Sequence, residues 1–247
     1  FVYDDLSSDG TTQNRADYAR RGVETVVPWH VDVTDSSSGR WMSQQILAYA
    51  HAIQTFGAAW RHFAFIDDDE FLVPTGADDL PTVLTRLGNP VNLSLPWHMF
   101  GTNGHRTPPE GGAVANYTRR SVFGLDRLVL NFKCIVDPTR VCRVSVHAFE
   151  TIDLGRGTIN TLGRRADDRS RWSHDFLTSE GIQLNHYFTR SWAELEAKLV
   201  RGSVNGRSDA IHRDKVLRRA AAIERETVED TRALEFLARV SIASTER

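Results

Sequence analysis

Four acids in a row, Asp67-Asp68-Asp69-Glu70, follow the apolar run Phe63-Ala64-Phe65-Ile66 and precede Phe71-Leu72. A short, nearly all-apolar run reads as a strand covered on both faces. In open α/β sheets, ligands gather at the carboxyl ends of strands. Adjacent carboxylates repel one another, and a divalent cation removes that cost. Hard oxygen ligands suit Mg²⁺ or Mn²⁺, and Mg²⁺ commonly takes substrate phosphates as its remaining ligands. This strand end is therefore a candidate metal–diphosphate site, against the plainer reading of a solvated acidic turn.

A second cluster lies at the start of the chain. Val2-Tyr3-Asp4-Asp5-Leu6-Ser7-Ser8-Asp9-Gly10-Thr11 again places acids and hydroxyls after a strand and ahead of a helix. Asp5 is placed to accept hydrogen bonds from a base or ribose, while Ser7 and Thr11 can cap the helix. Lys133 is one of only three lysines and stands in an apolar strand. Burial of an ammonium is costly unless it is paired, so Lys133 is expected beside an acid or a phosphate.

The elements that must position these groups alternate. Phe1 to Tyr3 reads as a strand, Gln13 to Arg21 as a helix stopped by Gly22, and Val23 to Val27 as a strand. Trp41 to Phe56 is helical by the spacing of Ile46, Leu47, Ala50 and Ile53. His62 to Ile66 and Val91 to Leu95 read as strands flanking a helix over Asp79 to Leu87. Strands separated by helices predict an α/β fold with a mostly parallel sheet flanked by helices. Phe100 to Pro109 reads as a loop, and Phe132 to Val136 with Val141 to Ala148 as an antiparallel hairpin turning at Asp137-Pro138. The polar, Arg-rich stretch from Asp153 to Ser170 is expected to drape over the surface. Ser191 and Glu194 form a capping box opening a helix to Val200. Ser208 to Val240 reads as one long amphipathic helical region, available for packing or for a homodimer contact.

Composition bounds the function. The chain has 247 residues, 40% hydrophobic and 25% charged, with a net charge of −2. These values fit a globular protein with a real core, and they disfavour a nucleic-acid partner, which selects for a basic face. No run of about 18 apolar residues is present, so no membrane span is expected. Cys134 and Cys142 are the two cysteines. In the expected hairpin they face opposite sides, and free thiols fit a reducing, cytoplasmic location, with peripheral membrane association left open. The sequons at Asn92 and Asn116 are short enough to arise by chance.

Several segments in order resemble one family. Tyr3 to Thr11 resembles the "DDxSxDxT" nucleotide-binding segment of family 2 type glycosyltransferases, and "FIDDDEFLVP" their DxD motif. Trp97-His98-Met99-Phe100-Gly101-Thr102-Asn103-Gly104-His105, Lys133-Cys134-Ile135-Val136 and Asn185-His186-Tyr187-Phe188-Thr189-Arg190-Ser191, with Lys198, Arg201 and Gly202, are similar to the glycosyltransferase 92 (DUF23) pattern. The resemblance runs from about Phe1 to Gly202. It implies a GT-A, Rossmann-like fold, a nucleotide-sugar donor, Mn²⁺ or Mg²⁺, and inversion at the anomeric carbon. A catalytic domain over residues 1–205 and a helical extension over 206–247 follow. Such proteins begin with a strand bearing a "K-N-E"-like segment, here expected upstream of Phe1.

By the family pattern, Asp67 lies near ribose and metal, Asp69 is the main metal carboxylate, and His186 completes the coordination. Asp5, Asp9, Asp67, Asp68, Lys133, Arg190, Lys198 and Arg201 are the expected donor-binding residues. Lys198 and Arg201 share a helix face and, with Arg190, form a cationic clamp on the diphosphate. Asp68 replaces an apolar residue that relatives often carry. An inverting enzyme needs a base beside its hydroxyl or glycan acceptor. Glu150 and His147 are favoured for that role, with His105, Asp153 and Asp175 as further candidates. Trp97, Trp172, Trp192 and Tyr187 are candidates for stacking on sugar rings.

Two alternatives compete. A haloacid-dehalogenase-type phosphatase also places D-x-D after an apolar strand, but it would need Thr or Val where Phe71 stands. A non-enzymatic, metal-dependent carbohydrate-binding module accounts for the acids and tryptophans, but not for the nucleotide-like segment.

Overall fold

The computed structural model describes residues 1–5, 7, 10–39, 41–76, 78–124, 126–202 and 209–245. In chain order its elements are β1 (Val2–Asp4), α1 (Thr11–Arg20), β2 (Val26–Pro28), α2 (Gln44–Phe56), β3 (Phe63–Phe65), β4 (Glu70–Pro74), α3 (Leu80–Arg86) and β5 (Asn92–Met99). Then come α4 (Ala113–Asn116), β6 (Arg119–Ser121), β7 (Phe132–Val136), β8 (Val141–Val144), β9 (Phe149–Thr151), β10 (Gly157–Ile159) and β11 (Arg165–Asp167). The chain closes with β12 (Ile182–His186), α5 (Trp192–Arg201), α6 (Asp209–Arg225), β13 (Thr227–Glu229) and α7 (Arg232–Thr245).

The fold is mixed α/β, but its main sheet is not mostly parallel. β3, β4, β5, β7, β10, β11 and β12 form one seven-stranded sheet. Four of its pairings are antiparallel (β3–β7, β5–β7, β4–β12, β10–β11) and two are parallel (β5–β12, β5–β10). The alternation of strands and helices before residue 100 suggests direct parallel neighbours. Strands from later in the chain insert between them instead: β7 links β3 to β5, and β12 links β5 to β4. β1 and β2 pair separately, in parallel.

Further expectations are corrected. β7 does not form a hairpin with β8, because Asp137 accepts from Thr139 N and caps a 3₁₀ turn over Pro138–Arg140 that redirects the chain. β8 pairs with β9 instead. Cys134 is buried and Cys142 exposed, and both are free. The 153–170 stretch is not merely draped. It builds the β10–β11 hairpin, anchored where Thr158 Oγ1 donates to the Asn92 carbonyl at 3.1 Å. The long C-terminal helical region is broken by β13, which pairs with β6. Position 208, where that region was expected to start, lies outside the described residues.

Register decides which side chains meet. His186 lies opposite Glu70, Leu184 opposite Leu72 and Trp97, and Leu95 opposite Lys133. Directly paired residues share a face, as do residues two apart. Glu70, Leu72, Leu95, Trp97, Lys133, Leu184 and His186 therefore all stand on one side of the sheet. That side carries the main core, where α6 buries Val216, Ala220 and Ile223 against Leu95, Trp97 and Leu184. Full burial of a side chain such as Ile223 contributes about 1.5–3 kcal/mol. No described helix is long and apolar enough to cross a membrane.

The opposite side holds a buried polar network. Asp230, just before α7, accepts from Arg120 Nε at 2.6 Å, Arg232 Nε at 3.0 Å and Gln183 Nε2 at 3.1 Å. Burial alone would raise the Asp230 carboxyl, but the hydrogen bonds from Arg232, Arg120 and Gln183 hold it well below the usual carboxylate range. A depressed folded-state value stabilises the fold above the unfolded carboxylate pKa, and that stability is lost as pH falls through the folded value. Asp230→Asn is expected to cost about 1–3 kcal/mol at pH 7. It should also flatten the acid limb of urea-derived stability against pH; an unaltered acid limb would assign that limb to other groups.

Candidate active site

The acidic turn joins β3 to β4 and is closed by its own members. Glu70 N donates to the Asp67 carbonyl at 3.1 Å, and Asp67 N donates to Glu70 Oε2 at 2.9 Å. One helix-borne side chain and one strand lysine then fix Asp67. Its Oδ1 accepts from Gln45 Nε2 at 2.6 Å and from Lys133 Nζ at 2.8 Å. Lys133 Nζ also donates to Tyr49 OH at 3.3 Å and lies 3.7 Å from Glu70 Oε2. Lys133 and Glu70 side chains are 1% and 0% exposed, so the pair is fully desolvated. Burial opposes the Lys133 charge, but Asp67, Tyr49 and Glu70 outweigh it and hold the ammonium above the ordinary lysine range. Burial, helped by the charge of Asp67, pushes the Glu70 carboxyl up against the pull of Lys133 and His186. Burial pushes the Tyr49 hydroxyl to about 12.

Asp69 faces a different set. Its carbonyl accepts from Tyr187 N at 2.9 Å, which ties the turn to the residue after β12. Asp69 Oδ1 is 3.2 Å from His186 Nε2, and Oδ2 is 3.5 Å from Lys198 Nζ on α5. Burial would raise this carboxyl, yet the neighbouring His186, then Lys198 and Arg190, hold it well below the usual range. Burial lowers Lys198 despite the acid beside it. Lys198 Nζ also sits 4.0 Å from the centre of the Phe188 ring and donates to the Phe188 carbonyl at 3.1 Å. The ring of His186 is held edge-on by Trp97 at 4.6 Å and Phe188 at 5.6 Å.

The capping box at Ser191 sets the start of α5. Ser191 Oγ accepts from Glu194 N, and the Glu194 carboxylate accepts from Ser191 N at 3.0 Å. It orients Arg190, which occupies the left-handed region at φ 51° and pairs with Glu194 at 3.7 Å.

The structure thus brings Asp67, Asp69, Glu70, Lys133, His186 and Lys198 together, with Arg190 close enough to act on Asp69. Asp68 is exposed on the turn, and Arg201 is exposed at the end of α5. Asp5 pairs with His30 Nδ1 at 3.0 Å after β1, while Asp4, its neighbour, accepts from Ser7 N at 3.2 Å and Thr12 Oγ1 at 3.0 Å. Asp9 lies outside the described residues.

The candidate bases separate clearly. His147 Nδ1 is 3.0 Å from the Phe132 carbonyl, and its ring meets Trp97 edge-on at 5.3 Å. Burial, then the charge of Lys133, lowers His147 to about 4. Glu150 pairs with Arg143 at 3.2 Å and Arg156 at 3.9 Å. His105 packs edge-on against Tyr117 at 5.5 Å, and its Nε2 lies 3.3 Å from the Asn116 carbonyl. Asp153 is held by Arg140 at 2.8 Å. Trp97 and Tyr187 are buried, whereas Trp192 is 43% exposed.

Sequence reasoning did not single out Gln45 and Tyr49, nor give Glu70 a role of its own. Gln45 and Tyr49 stand four apart on α2, the spacing that shares a helix face. Glu70 stands two before Leu72, so strand alternation puts it on the inward side. Arg219, whose guanidinium lies 5.4 Å from the Trp97 ring and 5.3 Å from Phe188, left no comparable signal.

Asp69 Oδ1 and His186 Nε2 make a pair of prospective metal ligands, one hard oxygen and one imidazole. Among the described residues no group of three or more His, Cys, Asp or Glu side chains forms a metal-holding cluster. Two protein ligands suit Mg²⁺ or Mn²⁺ at a phosphate site, where water and substrate oxygens supply the rest.

The sequence profile of Glycosyltransferase family 92 matches residues 1–218, and the chain belongs to that family. It is a glycosyltransferase. The phosphatase and carbohydrate-binding-module readings gain no support from that match. A search among curated proteins returns no match.

Proposed function

We propose that this glycosyltransferase is metal-dependent and inverting, and that it moves a sugar from a nucleotide-sugar donor to a hydroxyl of a glycan or similar acceptor. The donor proposed is a UDP-sugar, with galactose taken from the family resemblance. The observation that carries the reading is the Asp69–His186 pair, 3.2 Å apart with Lys198 at 3.5 Å. It puts an oxygen and a nitrogen ligand beside a phosphate-seeking ammonium.

Asp69 and His186 would hold Mn²⁺ or Mg²⁺. Bound there, the cation stabilises the charge that develops on a departing diphosphate. Lys198, Arg190 and Arg201 supply cationic donors to the diphosphate oxygens. Lys133 and Gln45 hold Asp67 in place for the ribose. Of the candidate bases the geometry favours His147. Burial keeps its ring neutral near pH 7, and Nδ1–H donating to the Phe132 carbonyl leaves the Nε2 lone pair free to take a proton. The acceptor hydroxyl gives its proton to that nitrogen as its oxygen bonds to the anomeric carbon. The bond from that carbon to the diphosphate oxygen breaks on the opposite face, which inverts the centre. The engagement of Glu150 with two arginines argues against it as the base.

A thermal-shift screen of nucleotide sugars, with and without Mn²⁺, tests this reading. One UDP-sugar is expected to raise the melting temperature only when the metal is present, because a ligand bound to the native state stabilises it by mass action. Equal shifts with and without Mn²⁺ would overturn the metal dependence.

A further inference from the structure

Glu70 takes no part in the roles assigned above, yet it is the most deeply buried acid of the turn. It stands directly opposite His186 in the β4–β12 register. Its Oε2 is engaged by Asp67 N at 2.9 Å, with Lys133 Nζ at 3.7 Å. Its Oε1 is buried without a hydrogen-bond partner, and so is His186 Nδ1. These two orphaned atoms lie 3.6 Å apart. An unsatisfied buried polar atom costs about 1–3 kcal/mol. A closure of about half an ångström brings this pair within hydrogen-bond range and satisfies both at once.

The opposite ring nitrogen has another neighbour. His186 Nε2 is 3.2 Å from Asp69 Oδ1, and the Trp97 and Phe188 rings restrict how the imidazole can turn. If the proton of a neutral ring sits on Nδ1, the Nε2 lone pair and the Asp69 carboxylate face one another as two acceptors. That arrangement calls for a cation between them. Histidines that ligate metals usually donate their other N–H to a carboxylate or carbonyl, which fixes the tautomer and the ring plane.

We propose that Glu70 is the positioning residue of the site: its carboxylate accepts the His186 Nδ1–H, fixes the ring, and turns Nε2 toward Asp69 and the cation they would share. The same side chain closes the acidic turn through Asp67 N. One carboxylate thereby sets the geometry of both the turn and the histidine. This proposal rests on the reading of His186 as a metal ligand, but its first half is a property of the metal-free protein.

Nitrogen NMR of the metal-free wild type, with His186 assigned by loss of its signals in His186→Gln, tests that half. The neutral ring is expected to carry its proton on Nδ1. Glu70→Gln keeps the shape but removes the charge and adds a donor, so the ring should shift toward the Nε2–H form. In the same folded variant Mn²⁺ affinity, read by electron paramagnetic resonance of the free ion, is expected to fall about 10–100-fold. A wild-type ring protonated on Nε2 overturns the proposal, and so does an unchanged Mn²⁺ affinity in folded Glu70→Gln. If Glu70→Gln fails to fold, the wild-type tautomer decides alone. If the wild type binds no Mn²⁺, the metal reading of His186 falls, while the tautomer still decides the role of Glu70.

Discussion

Lys133→Met is expected to destabilise the protein by about 3–5 kcal/mol, the cost of leaving a desolvated charge without its partner. The Lys133 and Glu70 side chains are 1% and 0% exposed, so no water replaces the lost ammonium. Two carboxylates, Asp67 and Glu70, would then face each other across a turn that the lysine now neutralises. Methionine has nearly the right length and volume, so the effect isolates charge from packing. Adding Glu70→Gln removes the stranded charge and should recover part of the loss, a coupling that a double-mutant cycle measures directly. Urea denaturation of the wild type, both single variants and the double variant reads the whole cycle. A Lys133→Met loss below about 1 kcal/mol, the range of an exposed pair, would show that the lysine is not neutralising a buried acid.

Asp69→Ala has the largest expected effect on activity. The carboxylate is held ionised by His186, Lys198 and Arg190 against the burial that opposes its charge, so the full negative charge is present at neutral pH. A metal at a phosphoryl site supplies several kcal/mol of charge stabilisation. Losing about 4 kcal/mol of it corresponds to about 1,000-fold in rate. The expected result is a kcat/KM reduced by about that factor, with metal-dependent donor binding lost. The fold should survive, because Lys198 is 26% exposed and can solvate its charge once Asp69 is gone. Activity within tenfold of the wild type would remove Asp69 from the site.

The local elements were legible in the sequence where a local signal exists. The spacing in α2 and the Ser191–Glu194 box each act within a few residues. The burial of Lys133 beside acids was legible too, because a lone lysine in an apolar strand needs a partner. The sheet was not. β7 and β12 come to lie between earlier strands, and no periodicity within β3, β4 or β5 reports an inserted neighbour. The same limit applies to Glu150, whose arginine partners sit on β8 and in the turn before β10. In sequence it is an acid after a strand, and only the fold shows that its charge is already engaged. Glu70 lies between the two cases. Alternation from Leu72 puts it on the inward face once β4 is recognised, but its register with His186 needs the β4–β12 pairing.

The most direct test of the central claim is calorimetric titration of UDP into the wild-type protein, once with Mn²⁺ and once with a chelator. The account predicts saturable binding with Mn²⁺ and its loss in chelator, because Asp69 and His186 would grip the nucleotide through the cation. Equal UDP affinity in both solutions would contradict it and would leave Lys198, Arg190 and Arg201 to hold the diphosphate unaided.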